Sequence, residues 1–192
     1  MQLETYQVGK TYTNLVFAGN TYERREFDGC EFVSCDLSNV SFTTSTFSNC
    51  TFRQCNLSMV KFKKTGLSEI AFEGCKLMGA DFSTANDFTL SMRFSGCILD
   101  YATFAGKPLK KTIFKECRLN EVNFTGADLA QAVFQQCDMS RAQFNRTNLT
   151  GADLVSSYGL SIDPEINTLK NAKISLHALP GLLERHQLRI EE

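Results

Sequence analysis

The chain has 192 residues, of which 43% are hydrophobic and 21% charged, and its 20 basic and 21 acidic side chains leave a net charge of -1. That is one domain's worth of chain, too apolar for intrinsic disorder and too balanced in charge for a generic polyanion binder. No run of 18 apolar residues occurs, and Met1–Thr5 lacks the basic and apolar stretches of a secretory signal, so no membrane association is expected and the location expected is cytoplasmic.

Residues 1–11 read as an N-terminal cap. From Tyr12 onward a large apolar residue stands at every fifth position: Phe17, Tyr22, Phe27, Phe32, Leu37, Phe42, Phe47, Phe52, Leu57, Phe62, Leu67, Phe72, Leu77 and Phe82. After an interruption the series resumes at Phe94 and runs through Leu99, Phe104, Leu109, Phe114, Leu119, Phe124, Leu129, Phe134, Met139, Phe144 and Leu149 to Leu154. Of the sixteen Phe, only Phe88 lies off the pattern. A helix repeats every 3.6 residues and a strand every 2, so neither keeps one face buried at a spacing of five; the backbone must turn within each quintet. Two positions before each centre stands a second inward candidate, and all eight Cys fall there: Cys30, Cys35, Cys50, Cys55, Cys75, Cys97, Cys117 and Cys137. The other occupants are mostly small, such as Ala80, Ala102, Val60 and Thr65. Each quintet thus sends one large and one small side chain inward.

Quintets such as Cys50-Thr51-Phe52-Arg53-Gln54 and Ala127-Asp128-Leu129-Ala130-Gln131 resemble the pentapeptide-repeat family, whose motif places Ala, Cys, Ser, Thr or Val two residues before a central Leu or Phe. The tandem resemblance covers roughly residues 12–154 and implies an all-β solenoid, a right-handed quadrilateral β-helix with four quintets per coil. The residues test that coil size independently. Successive Cys lie twenty apart (50−30, 55−35, 75−55, 117−97, 137−117), with one interval of 22 (97−75). At twenty per coil, Phe32, Phe52, Phe72, Phe94, Phe114 and Phe134 form one column and Phe42, Phe62, Phe82, Phe104, Phe124 and Phe144 another. The β-helix is expected to span 12–158 in about seven coils, roughly 35 Å at the strand spacing of ~4.8 Å.

Two extra residues lie between Ser83 and Arg93. They read either as a surface bulge or as a partner-binding loop built on Asp87, Phe88 and Thr89. Lys107, where a small residue belongs, and Pro108 make a second irregular corner. Beyond Leu154 the period fails, and 159–192 read as a helical C-terminal cap over the last coil. Asp163-Pro164-Glu165 suggests a capped turn, and Leu176, Leu179, Leu182 and Leu183 lie at helical spacing, with Pro180 in the first turn and Leu188 and Ile190 in a final strand. Those six apolar residues are the candidates for an interface with a second copy.

No catalytic, cofactor or metal site is expected: the Cys spacings of five and twenty do not match a zinc site, and no phosphate loop, nucleophile elbow or HExxH occurs. Length, central irregularity and the tail from Gly159 to Asn167 followed by Lys173–Leu176 are similar to the bacterial quinolone-resistance and the albicidin and microcin B17 immunity members of the family. That resemblance implies a homodimer joined through the C-terminal cap, acting on DNA gyrase or another type II topoisomerase to counter a poison by occupying its DNA-binding saddle. Composition does not supply the charge of a DNA mimic: residues 12–158 contain fifteen acids and fifteen bases. Shape, cap and loop contacts are then left to carry the binding, with no direct nucleic-acid contact. An interaction scaffold for a different protein is the alternative.

Overall fold

The computed structural model describes residues 4–189. The chain is a parallel β-solenoid with four sides and a short helical segment after it. On the first side, Thr11–Thr13, Glu31–Val33, Thr51–Arg53, Ile70–Glu73, Met92–Ser95, Ile113–Lys115 and Val133–Gln135 form a seven-stranded parallel sheet. Single bridges stack the second side, from Val16↔Asp36 through Ile98↔Arg118 to Asp138↔Tyr158. The third begins with Thr21–Glu23, Ser41–Thr43 and Lys61–Lys63 and continues through Asp81↔Thr103, Thr103↔Asn123 and Asn123↔Gln143. On the fourth stand Tyr6–Val8, Glu26–Asp28, Thr46–Ser48 and Gly66–Ser68, then Pro108, Asp128, Asn148 and Thr168.

The pairing register is the one the twenty-residue spacing demands. Phe52 pairs with Phe32 and Phe72, Phe72 with Phe94, and Phe94 with Phe114, so the two-residue surplus is absorbed without shifting a column. Along this column the rings stack with centroids 4.7 Å (Phe32–Phe52), 5.2 Å (Phe52–Phe72), 5.1 Å (Phe72–Phe94) and 5.0 Å (Phe94–Phe114). Across the interior they meet Phe82, Phe104 and Phe124 edge to face, as in Phe82–Phe94 at 6.0 Å and 86°. Offset stacking and edge contacts are the two arrangements the ring quadrupole favours, so two Phe columns fill one narrow core with both.

The turn that a five-residue period requires is made two residues after nearly every centre, where the backbone is left-handed, Thr84 after Phe82 and Ser156 after Leu154 being exceptions. Asn14, Ser34, Gln54, Glu116 and Gln136 hold φ between 52° and 54° on the first side's corner, and Gly74 and Gly96 take the same place at 61° and 62°. A left-handed non-glycine residue costs roughly 1–2 kcal/mol. Each corner offsets that cost in the ladder, since its N–H donates to the next coil, as Asn14 does to the Val33 carbonyl at 3.0 Å and Gln54 to Glu73 at 2.8 Å.

The small position has a second requirement besides size. Cys55, Cys75 and Cys97 thiols donate to the carbonyls of Phe32, Phe52 and Phe72 at 3.2, 3.3 and 3.3 Å. Hydroxyls of Thr65, Thr147 and Ser157 do the same to Phe42, Phe124 and Phe134. Cys, Ser and Thr are therefore short donors that stitch one coil to the one before it. Burial pushes the Cys50 thiol up to about 12, which keeps it protonated as a donor.

Pairing extends beyond the run of apolar centres at both ends. Gln7 occupies a centre position, pairs with Phe27, is buried, and accepts the Tyr12 hydroxyl at 2.8 Å. After Leu154, Thr168 and Lys173 pair with Asn148 and Asp153, with Ile162 buried in the same coil. Twenty residues after Met139 stands Gly159, which has no side chain, and where a centre would follow Phe144 by twenty the chain turns at the exposed Pro164, so a hydrophobicity pattern misses that last coil. The segment Asp163–Glu165 is a turn whose Glu165 N–H is accepted by the Asp163 carboxylate at 2.9 Å.

The helical segment lies across this last coil. It runs as a 3-10 turn Leu176–Ala178, an α-helical turn Leu179–Leu183 with Pro180 in its first turn, and a 3-10 turn Glu184–His186. The Ile162 N–H donates to the Gly181 carbonyl at 3.1 Å, and a Cβ on Gly181 would come within 1.7 Å of the Leu160 carbonyl oxygen, so only glycine fits there. Arg185 reaches Asp163 and Glu165 at 2.9 and 2.6 Å, and the Ser161 hydroxyl donates to Glu184.

Candidate protein-interaction surface

The fourth side lacks one rung among the described residues: nothing pairs Gly66–Ser68 with Pro108, and residues 86–90 stand in the gap. The winding is still regular at Asp81, which pairs with Thr103 and accepts the Ser83 N–H and hydroxyl at 2.9 and 2.6 Å as Asn56 does those of Ser58, and the departure follows Ala85. Asn86 then accepts the Phe88 N–H at 3.0 Å and opens the single 3-10 turn Asp87–Thr89. Asn86 and Ser91 N–H groups keep the coil's hydrogen bonds, to the Thr65 and Leu67 carbonyls at 2.9 and 2.8 Å. Leu90 packs against the core beside them, while Phe88 is 99% exposed.

Lys107 holds this loop. It occupies the small position, which Ser45, Thr65, Ala127 and Thr147 fill in other coils of the same side, and it is 6% exposed. Its ammonium donates to the Ala85 carbonyl at 2.9 Å and to the Asp87 carboxylate at 2.5 Å. Burial of a charge without such partners is prohibitive, and here both partners come from the loop. Thr89 closes the other flank, its hydroxyl 3.0 Å from where a Cβ on Gly66 would sit, and the Ser91 hydroxyl donates to Glu69 at 2.9 Å.

The three loop candidates thus separate into an anchor, Asp87, a flank, Thr89, and a projecting ring, Phe88. The sequence marked Lys107 as an irregular corner without joining it to the loop. The signal was present, since Asp87 and Lys107 lie one twenty-residue coil apart. The lysines divide as well. Lys110 pairs with Asp128 at 3.2 Å and Lys115 with Glu116 at 3.6 Å, whereas Lys61, Lys63, Lys64 and Lys111 are exposed with no ion pair among the described residues.

The six cap candidates divide likewise. Leu176, Leu179 and Leu188 are exposed at 82%, 42% and 58%, and Leu182 and Leu183 are half-buried, Leu182 against the solenoid core. Leu188 lies in irregular backbone, and Ile190 lies outside the described residues. Among the described residues no helix is long and apolar enough to cross a membrane, and no cluster of His, Cys, Asp and Glu is arranged to hold a metal ion.

The pentapeptide repeat region family matches residues 25–91 and 87–157, more than half of the chain, over the span in which the ladder has just been traced. The chain belongs to the pentapeptide repeat family. Comparison with curated proteins finds no match for this pentapeptide repeat protein. Among solved structures it is similar to trypsin-treated QnrB1, described as a plasmid-mediated fluoroquinolone resistance protein, with a TM-score of 0.56 at 23% identity, covering 97% of this chain and 100% of that one. Full-length QnrB1 gives 0.55 at 21%, covering 93% and 100%. HetL, a pentapeptide repeat protein involved in heterocyst differentiation regulation from the cyanobacterium Nostoc, gives 0.73 at 17%, covering 90% of this chain and 87% of that one. At these identities the likeness is one of fold.

Proposed function

We propose that this pentapeptide repeat protein is a non-catalytic, cytoplasmic protein-binding rod that acts on DNA gyrase or another type II topoisomerase and counters a topoisomerase poison. The observation that carries the reading is the contrast between a core filled by stacked rings and a single ordered loop that leaves Phe88 in solvent. A filled core offers no concave site where polar groups converge on a substrate, so function falls to the outer surface. The fold likeness to a fluoroquinolone resistance protein over nearly the whole length supports the choice of partner. A second copy is assigned to the cap, where Leu176, Leu179 and Leu188 present apolar surface away from the solenoid.

Supercoiling by purified gyrase, with and without a fluoroquinolone, tests the reading: the protein should restore supercoiling in the presence of the drug or inhibit the enzyme in its absence. If it does neither at any concentration, the topoisomerase reading fails. Leu176→Asp, at an exposed position, should elute as a monomer where the parent elutes as a dimer, and an unchanged elution volume removes the cap interface. The higher TM-score to HetL favours a second reading, a regulatory scaffold for another protein partner, and a chain inert toward gyrase would favour it.

A further inference from the structure

We propose that Phe88 and the lysines flanking its loop form one docking surface, and that the surface it fits is an apolar pocket of a partner protein with a rim of carboxylates. The inference rests on the reading of this chain as a protein-binding rod and names the chemistry of the contact.

Phe88 is not the accidental tip of a loose insertion. The segment on either side of it keeps the coil's backbone hydrogen bonds, Asn86 to Thr65 at 2.9 Å and Ser91 to Leu67 at 2.8 Å, and Lys107 is buried beneath it at the position that Ser45, Thr65, Ala127 and Thr147 fill in other coils. A bulge that merely absorbed two residues needs neither a buried ammonium nor an aromatic tip. With its backbone ordered in the free protein, the ring enters a pocket without the entropy cost of fixing the loop, which is the condition under which one aromatic residue dominates an interface.

The surroundings supply the sign of the partner. Lys63 and Lys64 stand at the corner one coil before the loop, where the Lys64 N–H donates to the Thr84 carbonyl at 2.8 Å. Lys111 follows Lys107 on the coil after it. All three are exposed with no ion pair among the described residues, whereas Asp87 is neutralised by Lys107, and Glu69, which accepts the Ser91 hydroxyl, leaves one negative charge against the three positive ones. A locally cationic knob on a chain of net charge -1 attracts carboxylates and is repelled by the basic surfaces that bind DNA. On gyrase, therefore, this loop would seat away from the DNA-binding surface. Single-stranded nucleic acid is the less suitable occupant, since its binders stack successive bases on several aromatic rings along a groove, and this knob is convex with one ring.

The test uses the full chain, immobilised, and a displayed library of random peptides as probe. Selected peptides should combine Asp or Glu with aliphatic or aromatic residues and weaken as salt is added. Their binding should fall by about tenfold or more in Phe88→Ala and in the triple variant Lys63→Glu, Lys64→Glu, Lys111→Glu. These positions are exposed, so thermal unfolding of both variants should match the parent's. A selected pool without acidic bias, or one that still binds Phe88→Ala, overturns the proposal. So does a thymidylate oligomer that binds equally well in a Phe88-dependent manner, because the occupant is then a nucleic acid. Gyrase holoenzyme passed over the same surfaces separates the two claims. Peptide binding without gyrase binding leaves the docking surface standing and removes the topoisomerase reading. Gyrase binding indifferent to both variants does the reverse.

Discussion

Phe88 and Phe94 are the same residue type on one coil, and the winding treats them in opposite ways. Phe94 lies between Phe72 and Phe114 at 5.1 and 5.0 Å and has no exposed surface to speak of, whereas Phe88 is 99% exposed. The difference teaches what a rung of this solenoid consists of. A rung needs its inward ring, its left-handed corner and, two places before the ring, a second side chain that stays inside, a donor such as Cys75 in some coils and an apolar residue such as Ala80 or Met92 in others. Where the ring is stacked and the rung is paired, as at Phe94 with Met92 buried two places before it, the side chain belongs to the core; where Lys107 reaches out to the loop and the rung is missing, the same side chain is released to solvent.

The contrast is sharpest in stability. Phe94→Ala should lose about 3–5 kcal/mol in chemical denaturation, because it removes two stacking and two edge contacts and leaves a cavity that closed coils cannot collapse into. Phe88→Ala should stay within about 0.5 kcal/mol of the parent. Equal losses at the two positions would contradict the described placement of both rings.

Alkaline titration examines the regular donor position. The Cys50 thiol is raised from 9.0 to about 12 by burial, so the folded state holds its proton more tightly than the unfolded state does. Its contribution is therefore fully present below pH 9 and declines as pH rises from 9 toward 12, by up to about 4 kcal/mol. Cys50→Ser should remove most of that slope while keeping a donor to the Phe27 carbonyl, to which the thiol stands at 3.5 Å. A slope unchanged by the substitution would assign the alkaline loss to other groups.

A smaller effect is expected when Lys107 is returned to the ordinary rule. Lys107→Thr should cost about 1–2 kcal/mol by freeing the Ala85 carbonyl and the Asp87 carboxylate. Its diagnostic readout is hydrogen exchange: amides of 86–91 should exchange faster while those of Phe72 and Phe114 keep their protection. Uniform loosening of the whole chain would mean that Lys107 supports the solenoid and not the loop in particular.

The columns were legible because a large side chain every fifth residue has few other homes, and the Cys positions reported the coil length without reference to the rings. The place of the loop was legible from one interval of 22 in a series of twenty. Its construction was not. Lys107 looked like an exception to a size rule, and only the stacked coils reveal that its ammonium ends on the loop one turn away. Gln7 occupies a position equivalent to an apolar centre and Gly159 follows Met139 by one coil, so a pattern of hydrophobicity passes over coils that backbone pairing includes. The cap leucines share one helical spacing, and that spacing does not separate Leu182, which packs against the core, from Leu176, which faces solvent.

Taken alone, the order of residues determined the period, the length of a coil and the identity of the stacked rings, because these follow from which side chains must leave water at a fixed interval. Tertiary structure decided which donors meet which carbonyls, that Lys107 clamps Asp87, and that Phe88 stands outside. Those depend on contacts between coils some twenty residues apart, and only the closed winding brings them within hydrogen-bonding distance.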